Sequence, residues 1–252
     1  GKTIEIRPSW TSEITKVKVD PKGNWKVSVV TPSASFTPYS ISISDGEKVM
    51  LNNILVGEVW FASGQSNMEM PLNGFWNNPV LKANETIAMA GQNEGIRFVT
   101  IPKTAAMEPQ ETVKGMWQEC TPENAPGFSA TAYYFALTLY RALHVPVGII
   151  VSSWGGSRVE SWTSREILET YPDVDLSEKA INSLNPMFRP MLMYNGMIHP
   201  LIHYTIRGFI WYQGEANVGH HEVYAERLAN MVNLWRKDWG QSNLPFYYVE
   251  IA

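Results

Sequence analysis

The chain has 252 residues, enough for one large α/β domain or for a medium domain with an appendage. With 20 Lys and Arg against 24 Asp and Glu, a net charge of −4 and no basic block longer than Arg236-Lys237, it suits neither nucleic acid nor an anionic membrane, and no apolar run approaches the roughly 18 residues of a membrane span. A single cysteine, Cys120, excludes an internal disulfide and a cysteine zinc site.

Residues 1–55 read as β. Ile4 and Ile6 alternate with polar neighbours, as do Val17 and Val19, and Trp25, Val27 and Val29 share one face. Asp20-Pro21-Lys22-Gly23-Asn24 supplies a hairpin turn, and Asp45-Gly46 a second turn between Tyr39-Ile41-Ile43 and Lys48–Leu51. A sheet with no helix to cover it needs a second layer, so this segment predicts part of a small β-sandwich.

From Val56 strands and helices alternate. Val59–Ser63 is apolar almost throughout, as a parallel strand covered on both faces should be. Asn78 as cap and Pro79 at the first position predict a helix over 79–90, and Ile96–Ile101 a second strand. Four prolines and no period make 102–128 a long connection. A helix over 130–143 then feeds a third strand, Val147–Ser153. Thr163 with Glu166 resembles a capping box, Tyr204–Tyr212 a fourth strand, 222–237 an amphipathic helix, and Pro245–Ile251 a fifth strand. These predict two regions, 1–55 and 56–252. The second would be a doubly wound sheet of five parallel strands in the order 2-1-3-4-5, with a crevice at the carboxyl ends of strands 1, 3 and 4.

Three clusters fall at that crevice: Ser63-Gly64-Gln65-Ser66-Asn67-Met68-Glu69, Trp154-Gly155-Gly156-Ser157, and Gln213-Gly214-Glu215-Ala216-Asn217. Ser66, on a glycine-bearing turn after strand 1, has the place of a nucleophile, although an isolated Gly-Gln-Ser more often only caps a turn or helix. The Gly155-Gly156 backbone can offer an N–H to an oxyanion, and Gln213 or Asn217 a side-chain amide. Glu215 buttresses that loop. As the acid of a glycosidase it would need a second carboxylate and an eight-stranded barrel, three strand-helix units more than this chain holds.

Gly57-Glu58-Val59-Trp60 with Gly64-Gln65-Ser66-Asn67-Met68, Trp154-Gly155-Gly156 with Glu160-Ser161-Trp162, Tyr194-Asn195-Gly196-Met197-Ile198, and Trp211-Tyr212-Gln213-Gly214-Glu215-Ala216-Asn217 together resemble the sialate O-acetylesterase family of SGNH hydrolases. The resemblance implies a flavodoxin-like three-layer fold and a serine mechanism without metal or cofactor. It implies an O-acetylated carbohydrate, an acetylated sialic acid or polysaccharide, as substrate. Ser66 carries over as nucleophile, the N–H groups of Ser66 and Gly156 as oxyanion donors with Asn217 or Gln213, and Gln65, Asn67, Trp154, Asn195 and Glu215 as substrate contacts. Arg158 and Ala216 depart from the small or uncharged residues expected at those positions. An extracellular, periplasmic or lysosomal location follows from the same likeness.

The family places its catalytic His, with Asp three residues before it, in a loop after the fifth strand, and the sequence stops at Ala252. None of His144, His199, His203, His220 and His221 has an Asp three residues earlier. The chain is therefore expected to be a fragment holding the nucleophile half of an esterase site, with a further segment of the same protein as its partner. The alternative is a catalytically incomplete sugar-binding fragment, with Trp76, Trp117 and Trp162 as stacking surfaces. His220-His221, and His199 with His203 in a loop-like stretch, support a metal site only weakly.

Overall fold

The computed structural model describes residues 1–251. By internal contacts it divides into two units, Gly1–Glu58 with Leu143–Pro146, and Val59–Ala142 with Val147 to the end of the described chain.

The first unit is a four-stranded antiparallel sheet of β1 (Thr3–Pro8), β2 (Thr15–Lys18), β3 (Ser35–Ser44) and β4 (Lys48–Val56), in the order β2-β1-β3-β4. Ile4 and Ile6 are buried on one face of β1. Between them Glu5 points to the other face and pairs with Lys16 at 2.6 Å and Arg7 at 2.7 Å. The expected turn forms, because Asp20 Oδ1 accepts the N–H groups of Lys22 and Asn24, both at 2.8 Å. The strand expected after it does not. Residues 25–34 join no sheet; Val30 is 89% exposed and its carbonyl accepts from Trp10 Nε1 instead of a ladder partner. Among the described residues this unit holds this one sheet.

The second unit runs β5 (Glu58–Gly64), α1 (Ser66–Glu69), α2 (Ala83–Ala88), β6 (Ile96–Thr100), β7 (Gln118–Glu119), α3 (Ala130–Leu143), β8 (Val147–Ser153), α4 (Arg165–Leu168), α5 (Glu178–Ser183), β9 (Gly208–Tyr212), α6 (His221–Asp238) and β10 (Phe246–Tyr248). Its sheet has six strands, not five, in the order β10-β9-β5-β8-β6-β7, and is mixed because β7 pairs antiparallel with β6. β10 with β9, β9 with β5, and β8 with β6 are parallel. The five expected strands thus stand in the order 2-3-1-4-5. The first is central between the third and fourth, so the three clusters of interest leave adjacent strand ends.

Alternation along the strands separates two cores. Trp60, Ala62, Phe98, Ile149 and Val151 pack with Ala132, Tyr133 and Ala136 of α3. Phe61, Val99, Ile150, Phe209 and Trp211 pack with Met231, Leu234 and Trp235 of α6. Helices therefore cover both faces.

Several elements differ from their sequence patterns. The helix expected over 79–90 shrinks to α2, because Asn78 closes a turn onto Phe75 O at 2.9 Å and Pro79 packs into the bend at Gly74. Thr163 does not cap α4; its hydroxyl bonds Val159 O at 3.0 Å, and Ser164 takes the cap position. β9 starts at Gly208 because residues 199–204 turn, with Tyr204 N–H on Leu201 O. α5 lies in a stretch that had no period, started by Ser177, whose hydroxyl accepts Ala180 N–H.

Candidate active site

β5 ends at Gly64, where φ is +138° and a Cβ would stand 2.1 Å from Tyr212 O. Glycine alone fits there. The chain can then hug β9, with Gln65 N–H on Tyr212 O at 2.9 Å, and turn into α1. Ser66 heads this one-turn helix, half-buried. A helix start leaves its first N–H groups unused, and neither the N–H nor the hydroxyl of Ser66 bonds another described residue.

Two neighbouring loops are tied to this turn. From the β9 side, Gln65 Oε1 accepts Gly214 N–H at 3.3 Å and Ala216 N–H at 3.2 Å, and Asn67 Nδ2 donates to Glu215 at 2.6 Å. From the β8 side, Trp154 N–H donates to Gly64 O at 3.1 Å and Gly155 N–H to Glu69 Oε2 at 2.5 Å. Lys103 pairs with the other Glu69 oxygen at 2.6 Å, its ammonium 5.7 Å from the Trp154 ring centre. Gly156 follows at φ +76°, its N–H without a partner among the described residues. The structure thus gathers Gln65, Ser66, Asn67, Trp154, Gly156 and Glu215 around one turn, and Glu215 buttresses it through Asn67.

The two candidate amides belong to a buried network. Gln213 Nε2 donates to Ser157 O at 3.0 Å and Asn217 Oδ1 at 2.7 Å, and its Oε1 accepts from Tyr224. Burial pushes the Tyr224 phenol up to about 12, which keeps it a donor. Asn217 Nδ2 donates to both Glu160 oxygens, and its Oδ1 also accepts Val159 N–H at 3.1 Å. Gln213 thus uses both amide hydrogens within the protein, whereas Asn217 directs its amide at a single carboxylate, Glu160. Both sit at the bottom of a buried network. Asn195 is likewise internal, donating to Ala106 O and Met107 O at 3.1 and 2.8 Å, so it holds the 102–128 connection and has no amide hydrogen left for substrate.

That network ends in Arg227, which meets Glu160 at 2.6 Å and Asp173 in a forked pair. Hydrogen bonding from Arg227 holds the Asp173 carboxyl below its ordinary value against a small burial penalty. A depressed folded pKa contributes stability above the unfolded value near 4 that is lost as pH falls through the folded one. Asp173→Asn should therefore flatten the loss of Tm below pH 4; a loss as steep as in the parent would refute this coupling.

Sequence reasoning missed Glu69, Lys103, Glu160 and Arg227 as parts of the site. Glu69 stood three residues after Ser66, a legible helical spacing, whereas Glu160 and Arg227 meet across 67 positions with no local signal.

No histidine bonds Ser66. His199 Nδ1 faces Gln110 O, His221 Nδ1 faces Val218 O, and His144 sits at positive φ in the first unit. Burial pushes the Cys120 thiol up to about 11, so it is no competing nucleophile. Among the described residues no group of three or more His, Cys, Asp or Glu could hold a metal ion. The open six-stranded sheet is not a barrel, so Glu215 has no glycosidase setting. Of the three tryptophans considered for stacking, Trp162 is wholly buried and Trp117 packs against the core, while Trp76 is 97% exposed. Arg158 lies over the Phe188 ring at 4.8 Å and makes no ion pair among the described residues.

Residues 56–252 match the model of the family described as carbohydrate esterase, sialic acid-specific acetylesterase. The chain belongs to that family. As a member of it, the chain is similar to the sialate O-acetylesterases of Pongo abelii, 28% identical over 278 residues covering 100% of this chain and 52% of the other, and of Homo sapiens, 28% identical covering 95% and 49%. Among solved structures it is similar to a carbohydrate acetylesterase from Xanthomonas citri, with a TM-score of 0.86, 34% identity, and coverage of 98% of this chain and 53% of that one. This esterase-family chain spans about half the length of the curated relatives it matches.

Proposed function

We propose that the chain carries the nucleophile side of a serine esterase that removes acetyl groups from O-acetylated carbohydrates, on an SGNH-type, flavodoxin-like version of the three-layer fold. One observation carries the reading. Ser66 presents an unengaged hydroxyl and N–H where the loops after β5, β8 and β9 are hydrogen-bonded together. In this reading Ser66 Oγ attacks the acetyl carbonyl and the N–H groups of Ser66 and Gly156 receive the oxyanion. The sugar hydroxyl then leaves, and water releases acetate from the acetyl-enzyme. Trp154 and Trp76 give faces for the sugar.

The proton must pass through a base, a contribution worth roughly 10²–10⁴-fold. We assign that base to a histidine after residue 252, a reading supported by relatives twice as long and by the lack of any histidine bonded to Ser66. Hydrolysis of p-nitrophenyl acetate by residues 1–252 should therefore be weak and should rise about 100-fold or more in a longer chain. Equal, high activity in both would move the base to one of the five histidines. A fluorophosphonate should label the longer chain at Ser66, and Ser66→Ala should abolish labelling. Sugar binding without labelling in that chain would favour the second reading, a binding protein, for which Trp76 speaks.

A further inference from the structure

We propose that Glu69 is the positioning residue for the oxyanion side of this site. Its carboxylate fixes the Trp154-Gly155-Gly156 turn against Ser66, and Lys103 neutralises it so that it does not oppose the charge forming there. The inference rests on the esterase reading above.

Glu69 follows Ser66 by three residues on α1, a spacing that sets two side chains on neighbouring positions of one helix face. Its two oxygens have separate tasks. Oε2 accepts Gly155 N–H at 2.5 Å, while Oε1 meets Lys103 Nζ at 2.6 Å. A Cβ on Gly155 would stand 3.0 Å from Glu69 Oε2 and 3.6 Å from Ser66 Cβ, so carboxylate, turn and nucleophile pack around one point. Gly155 N–H is consumed in holding the turn. Gly156 N–H, the next along the chain, is left unpartnered, and because a glycine is free to turn, a contact on the neighbouring residue is what fixes where that N–H points.

A carboxylate this close to a developing oxyanion would raise the barrier if it kept its full charge. Lys103 offsets it, and the residues around Lys103 show how that cation is kept in place. Asn195 holds Ala106 O and Met107 O, and Gly196 lets Thr104 O approach so closely that a Cβ there would stand 2.3 Å away. The Tyr194-Asn195-Gly196 motif therefore pins the segment just after Lys103, and Trp154 backs the ammonium.

The test is acetyl-ester kinetics and fluorophosphonate labelling on the full-length protein. Four variants are compared: Glu69→Ala, Glu69→Gln, Lys103→Met and the double Lys103→Met/Glu69→Gln. Glu69→Ala should lower kcat about 100-fold with KM within about threefold, as for a lost oxyanion donor. Glu69→Gln keeps an acceptor for Gly155 N–H and should recover at least about tenfold of that loss. Lys103→Met should lower kcat about tenfold by baring the carboxylate, and adding Glu69→Gln should restore most of it, a non-additivity that a merely structural contact does not produce. The proposal is overturned if Glu69→Ala matches the parent, if Ala and Gln behave alike, or if the double variant is no better than Lys103→Met. Absence of both turnover and labelling in the parent would instead overturn the esterase reading and this inference with it.

Discussion

Gly64→Ala should destabilise the protein by on the order of 4 kcal/mol and abolish labelling of Ser66. Two costs act together. A Cβ at this position would stand 2.1 Å from Tyr212 O and 2.9 Å from Tyr212 N, a clash with backbone that no rotamer relieves, and φ of +138° is closed to side-chain-bearing residues. Relief requires β5 to move off β9, which breaks the Gln65 N–H bond to Tyr212 O and shifts the start of α1 that carries Ser66. Gly156→Ala is the control, also at positive φ but meeting only the flexible Met187 side chain at 3.4 Å, and should cost about 1–2 kcal/mol. Urea unfolding of both variants measures this; equal losses would show that the approach to Tyr212 does not matter.

Arg227→Met should cost about 3–5 kcal/mol, because it leaves the Glu160 carboxylate buried with only Asn217 to bond it. Glu160 and Arg227 side chains are 8% and 7% exposed, so water cannot replace the lost partner, whereas Asp173, 53% exposed, simply returns to solvent. The double variant Arg227→Met/Glu160→Gln should regain much of the loss, since it removes the stranded charge. The consequence reaches the site. Glu160 holds Asn217, Asn217 holds Gln213, and both lie on the loop that Gln65 and Asn67 tie to Ser66. Labelling of Ser66 should therefore slow in Arg227→Met and recover in the double variant; loss of stability with unchanged labelling would uncouple the network from the nucleophile.

Much of the second unit was legible because its signals are local. The apolar run before Gly64 is β5, the helix over 130–143 is α3, and Val147–Ser153 is β8, each set by the period of its own side chains. Elements failed where a partner was needed. Trp25–Val29 alternates like a strand but has no neighbouring strand to bond, and the two-residue β7 exists only because β6 offers it an edge. The helix from Pro79 lost its first turn to a bend that begins at Gly74.

The candidate site divides in the same way. By itself the sequence determined that serine, glycine and amide clusters follow strands, that Ser66 sits on a glycine-bearing turn after the first of them, and that the motifs resemble those of carbohydrate acetylesterases. Those features depend on residue type and spacing along the chain. Only the tertiary structure decided that β5 lies between β8 and β9, that Gly64 must pass against Tyr212, and that the amides of Gln213, Asn217 and Asn195 bond groups within the protein. An amide has the same hydrogens wherever it stands in a sequence. What they bond is settled by groups up to 89 positions away, brought within hydrogen-bonding distance by tertiary packing.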